Sequence, residues 1–112
     1  MSFQHKDMAG GSWQKLSFFE QMANIGSEVI RAMNWKRKGN QGYSQRAFER
    51  ALELLSLTID DPANKTKTRL KELTRLYEVL VDYFAGNNLY SFQEEPMERY
   101  FLAFTYAVRR AQ

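Results

Sequence analysis

A chain of 112 residues has room for one hydrophobic core but not for two. Hydrophobic residues at 44% exclude a disordered chain, and the lack of cysteine excludes disulfides and thiolate metal sites and suits a reducing, cytoplasmic setting. A net charge of +3 permits a nucleic-acid partner without demanding one, and the scarcity of proline favours a few long helices over many short strands.

Residues 1–11 (MSFQHKDMAGG) have no periodicity, end in two glycines and are expected to form a flexible tail, with Phe3 and Met8 available to dock. They hold no basic segment followed by an apolar run, so no signal peptide is expected. The folded domain is expected over 12–112 and is organised around residues 13–35. There Leu16, Phe19, Ala23, Gly26, Ile30 and Met33 form one helical stripe, and Phe18, Met22, Ile25, Val29 and Ala32 form a second beside it. Together they make an apolar arc wider than the roughly 100° expected of a surface helix. Ser12 or Ser17 can cap this helix, which should run to about Lys36. Glu20, Glu28 and Arg31 interrupt it, so it should not span a bilayer.

The KRKGNQGY segment occupies 36–43. Its cations suit a helix C-terminus and Gly39 suits the left-handed cap; a phosphate cradle is the other reading, but no Walker pattern or preceding strand accompanies it. Ser44 is the expected cap of the second helix, with Phe48, Ala51, Leu52, Leu55 and Ile59 inward. Arg46, Glu49, Arg50 and Glu53 are spaced for ion pairs on a solvated side. Asp61-Pro62 reads as the cap and first residue of the third helix, whose Leu70, Leu73, Tyr77, Leu80 and Phe84 keep the cleanest period in the chain. Gly86 should end it. Leu89, Tyr90 and Phe92 make an unusually apolar connection, expected to fold over one end of the core. Glu94, Glu95 and Pro96 open a fourth helix with Met97, Phe101, Phe104 and Val108 inward and Arg109-Arg110 at its end. Short links between four amphipathic helices predict an all-α, antiparallel up-down-up-down four-helix bundle. Its core should include Phe19, Ile30, Phe48, Leu55, Leu73, Tyr77, Leu80, Phe101 and Phe104.

No constellation for catalysis emerges. The single histidine, His5, lies in the tail, so neither a zinc site, nor the Glu-x-x-His pairs of bundle di-metal centres, nor a serine nucleophile with its base can be assembled. No metal, cofactor or enzymatic activity is expected. Three surfaces remain. Glu20, Asn24, Ser27, Glu28 and Arg31 form a polar stripe able to line a binding groove; as a plain solvated face it needs no ligand, and Glu28 and Arg31 can pair with each other. In the predicted topology Lys15, Lys65, Lys67, Arg69, Lys71, Arg109 and Arg110 gather at one end of the bundle against Asp60 and Asp61. That is a candidate nucleic-acid contact, although helix-end complementation alone accounts for these charges. Finally, three other helices are expected to leave one stripe of the first uncovered, unless the Leu89–Phe92 loop or the N-terminal tail folds over it. Phe18, Met22, Ile25 and Val29, with Leu102 and Tyr106 of the fourth, make a candidate homodimer patch.

The phrases ANIGSEVIRA (23–32) and YSQRAFERALELL (43–55) resemble small prokaryotic helical proteins of this length to which no activity is attached. In architecture the chain is similar to the nucleotide-binding HEPN bundles that accompany minimal nucleotidyltransferases. Ribonuclease members of that group carry an Arg followed after four to six residues by His. Arg31 has no such histidine and neither does any other arginine here, so the resemblance implies a bundle and not a nuclease. Two functions of different class are therefore expected. The first is a non-enzymatic accessory module working by self-association or partner binding. The second is a nucleotide- or RNA-binding bundle supporting a separate enzyme.

Overall fold

The structure, a computed structural model, describes residues 11–111. The expected tail, with His5, Phe3 and Met8, lies outside the described residues but for Gly11. Among the described residues every regular element is helical: α1 (Phe18–Arg37), α2 (Gln41–Asp60), α3 (Lys67–Ala85) and α4 (Glu94–Arg110), with 3-10 turns at Ser12–Lys15 and Pro62–Asn64. None of these helices is long and apolar enough to cross a membrane.

The caps explain where the helices start. For α1 the choice falls on Ser17. Its Oγ accepts from the Glu20 backbone N–H at 3.1 Å, while Glu20 Oε1 accepts from the Ser17 N–H at 2.9 Å. The backbone bond from Ser17, with its side chain second, holds the Glu20 carboxyl below its usual range. Gly39 takes the left-handed turn after α1 with φ +80. The second helix starts earlier than Ser44: Asn40 is the cap, its Oδ1 accepting from Tyr43 N at 3.0 Å. Ser44 is already inside the helix and faces α1, where it is buried and its Oγ donates to the Ala32 carbonyl at 2.8 Å. Asp61 does act as a cap, but only of the short 3-10 turn; α3 has a cap of its own in Thr66.

Packing is closest between α1 and its two neighbours, α2 and α4, and α2 also packs on α3, whereas the backbones of α3 and α4 stay apart. The crossing of α4 over α1 falls at Gly26, where Phe101 sits directly on the bare Cα. That crossing decides which apolar stripe is central. Met22, Ile25, Val29 and Met33 are fully buried with Phe48, Leu55, Leu73, Leu80 and Phe101. Phe19, expected among them, is instead 49% exposed, because the first turn of α1 lies beyond the crossing and its ring rests on Phe104 at 5.7 Å. Ile30, Tyr77 and Phe104 are half-buried at the core's edge. Glu53 also departs from expectation: it is buried, because α2 is flanked by both α1 and α3.

A buried polar network ties one end of the molecule together. Trp13 Nε1 donates to Thr58 Oγ1 at 2.9 Å. Gln21 Nε2 donates to the Trp13 carbonyl at 3.1 Å and to Asp61 Oδ2 at 2.8 Å. Asn64 Nδ2 donates to Gln21 Oε1 at 3.0 Å and to the Thr58 carbonyl at 2.9 Å. All five side chains are buried, so each bond replaces a water that cannot reach it.

Candidate functional site

The polar stripe on α1 bonds within its own helix and to α2. Asn24 Nδ2 and Ser27 Oγ donate to carbonyls one turn back, at 2.8 and 3.2 Å, and Glu20 belongs to the cap. Glu28 lies between Arg31 at 3.3 Å and Arg50 of α2 at 3.0 Å, so Arg50 pairs across to α1 and not within its own helix.

At the basic end the start of α3 and the end of α4 do meet the start of α1: Arg69 stands over the Phe18 ring at 4.1 Å, and Phe104 contacts the same ring at 6.0 Å. Arg69 also donates to Asn64 Oδ1 at 3.1 Å, which makes it part of the buried network. Lys15, Lys65, Lys67, Lys71, Arg109 and Arg110 are exposed, and no ion pair among the described residues involves them.

The candidate dimer patch is corrected. Met22, Ile25 and Val29 lie at 0–1% exposure in the core, and Phe18 is half-buried under Arg69. The stripe is covered within one chain because α4 crosses α1 at Gly26 and lies along it. Only Leu102 and Tyr106 stay exposed, one turn apart on the outer side of α4.

The surface that hydrophobic patterning does not reveal is the seam between α3 and α4. An aromatic cluster closes one end of this seam. At one end Phe92 is buried, stacked on Tyr83 at 4.1 Å and 21°, with Phe84 beside it. The connection before α4 is built to deliver that ring. Asp82 accepts from the Leu89 and Tyr90 N–H groups at 2.9 Å each, and Asn88 Oδ1 accepts from Phe92 N at 2.7 Å. Asn88 and Ser91 take left-handed φ of 54 and 55 to make the turn. Of the three apolar residues expected to fold over the core, Phe92 does so, while Leu89 is 83% exposed. At the other end Phe104, with Tyr100 beside it, turns to Phe18 and Phe19 of α1.

Between α3 and α4 an open groove of about 510 Å³ remains, with Leu76, Val79, Phe92, Met97, Pro96 and Tyr100 forming its apolar walls and Glu72, Arg75, Ser91 and Gln93 its rim. Two tyrosines tie its helices together. Tyr100 OH donates to Glu72 Oε2 at 2.7 Å, and Tyr83 OH donates to Glu94, which also accepts from Arg37 Nε at 2.8 Å. Burial and the Glu94 hydrogen bond push Tyr83 up to about 12, the nearby Arg37 opposing them; burial and Glu72 likewise raise Tyr100. Among the described residues no cluster of His, Cys, Asp and Glu is arranged to hold a metal ion. Comparison with protein families, curated proteins and solved structures finds no match to this chain.

Proposed function

We propose that this chain is a non-enzymatic, cytoplasmic interaction module, an antiparallel up-down-up-down bundle whose α3–α4 groove receives the apolar face of an amphipathic helix from a protein partner. The groove itself carries the reading. Its α3 side carries Glu72 and Arg75 on the rim and Leu76 and Val79 on the wall, together spaced i, i+3, i+4, i+7, which is how one helix presents itself to another. That stripe spans ~10 Å, or about two turns. The rim adds one charge of each sign, Glu72 and Arg75, to meet the polar flank of an incoming helix. Its openness to solvent suits a segment laid along the seam better than a small ligand, whose pocket would enclose most of its surface.

The test uses a fluorescent amphipathic peptide of about 14 residues, with leucines at the same spacing, and a scrambled peptide of equal composition. Binding of the patterned peptide alone, abolished by Val79→Glu or Met97→Glu without loss of helical circular dichroism, supports the proposal. Equal binding of both peptides, or indifference to the groove variants, refutes it. Light scattering is the second arm. A dimer that Val79→Glu dissociates makes a second copy the occupant and overturns the choice of partner.

A further inference from the structure

The tip of the α1–α2 hairpin, remote in role from the groove, carries a row of four side chains that the fold does not consume. Trp35 and Tyr43 stand edge to face, ring centroids 4.8 Å apart at 75°. Lys38 Nζ lies 5.0 Å from the Trp35 ring and the Arg46 guanidinium 4.7 Å from the Tyr43 ring, so the order is cation, ring, ring, cation. Their neighbours are otherwise engaged: Arg37 pairs with Glu94 and Glu98, and Lys36 sits over Tyr83 at 3.9 Å. Lys38 and Arg46 enter no ion pair among the described residues.

The backbone between the rings is both rigid and bare. Gly39 N donates to the Lys36 carbonyl at 3.0 Å and Asn40 N to that of Trp35 at 2.9 Å, which fixes the turn. A Cβ on Gly39 would meet nothing within 4 Å, and one on Gly42 would meet only Asn40 Oδ1 at 3.7 Å. Packing therefore does not require Gly42. A bare helical start beside the exposed Tyr43 ring and the half-buried Trp35 ring leaves room for a flat group to approach the main chain closely.

We infer that this row is a platform for single-stranded nucleic acid. Unpaired bases offer π faces to Trp35 and Tyr43 whatever their sequence, and the flanking phosphates meet Lys38 and Arg46, the combination by which such strands are held. An arriving base takes the ring face, and the long cationic side chain it displaces swings to the adjoining phosphate. In a duplex the same bases are stacked and out of reach.

The experiment measures fluorescence anisotropy of a labelled oligothymidylate and an oligouridylate of roughly 12 nucleotides, within the site sizes of such platforms. A mixed duplex of equal length is the comparison. Two phosphate contacts predict a log–log salt slope of about −1.4, so affinity falls roughly sevenfold between about 50 and 200 mM salt. Tyr43→Ala, at an exposed position, should weaken binding roughly 5- to 160-fold, the effect of one lost base–aromatic stack. Arg46→Gln should reduce the slope by about 0.7. Lys65→Gln with Lys67→Gln, at the other end of the molecule, should change neither, nor should the groove variant Val79→Glu. No binding at low salt overturns the inference, as does duplex binding equal to that of either single strand. Loss of binding in the Lys65/Lys67 variant with the tip variants unaffected overturns it too. Tighter binding of one single strand than the other identifies which sugar–phosphate chain the platform prefers and supports the inference.

Discussion

Gly26→Ala should destabilise this protein, against the ordinary expectation for a helix. In mid-helix, alanine in place of glycine gains about 0.5–1 kcal/mol from reduced chain entropy. Here the added Cβ would lie 2.6 Å from Phe101 Cβ, 2.8 Å from its Cγ and 2.9 Å from its Cδ1. Carbon atoms pack best at about 3.5–4.0 Å, so the clash amounts to roughly 1 Å. The nearest atom belongs to the root of the Phe101 side chain and cannot rotate away, which forces α4 itself to retreat from α1. Overpacking of this kind costs about 1–3 kcal/mol, leaving a net loss on the order of 1–2 kcal/mol. For a domain of this size that lowers Tm by about 5–15 °C. Urea and thermal denaturation followed by circular dichroism measure it, with Ser27→Ala at an exposed site one residue on as the propensity control. A rise in Tm for Gly26→Ala would refute the close crossing and, with it, the explanation of why the Met22–Val29 stripe is covered.

The same packing sets other outcomes. Met22→Glu places an unpaired carboxylate at a fully buried position and should abolish folding, whereas Tyr106→Glu at an exposed one should leave the circular dichroism spectrum unchanged. Thr58→Val leaves the buried Trp13 Nε1–H without an acceptor and should cost about 1–3 kcal/mol, read from the urea midpoint. Alkaline stability should be set by tyrosine: Tyr83 is raised from 10.0 to about 12 in the folded state, so the unfolded chain loses its proton first. Its contribution is complete below pH 10 and declines as pH rises toward 12, and Tyr83→Phe should remove that part of the decline.

Four helices, the left-handed Gly39 and the acid-Pro start of α4 are all legible in the sequence, because each depends on residues within a turn or two of one another. Helical periodicity tells that α1 is apolar over a wide arc but not which neighbour covers it. That depends on a single glycine 75 positions from its contact, Phe101. Gln21 reads as a surface residue because its buried partners Asp61 and Asn64 lie 40 and 43 positions away. The groove is hidden for a related reason: a stripe records which side of a helix is apolar, not how far the next helix stands from it. Ser44 reads as a cap because serine suits both that role and a buried bond to a neighbouring carbonyl.

The network around Gln21 bears on register. Two amphipathic helices such as α1 and α2, each of 20 residues, can be set one turn further along each other with nearly the same hydrophobic area removed from water. Greasy contacts distinguish such settings poorly. The hydrogen bonds do distinguish them, since the partners come from the Ser12–Lys15 turn, α1, the end of α2 and the Pro62–Asn64 turn, and meet only where the start of α1 lies level with the end of α2. In a shifted setting each orphaned group costs about 1–3 kcal/mol, and several together equal a small domain's whole stability. The polar cluster thus fixes the axial setting of α1 against α2. A protein carrying Gln21→Leu and Asn64→Leu keeps its drive to collapse and loses that constraint.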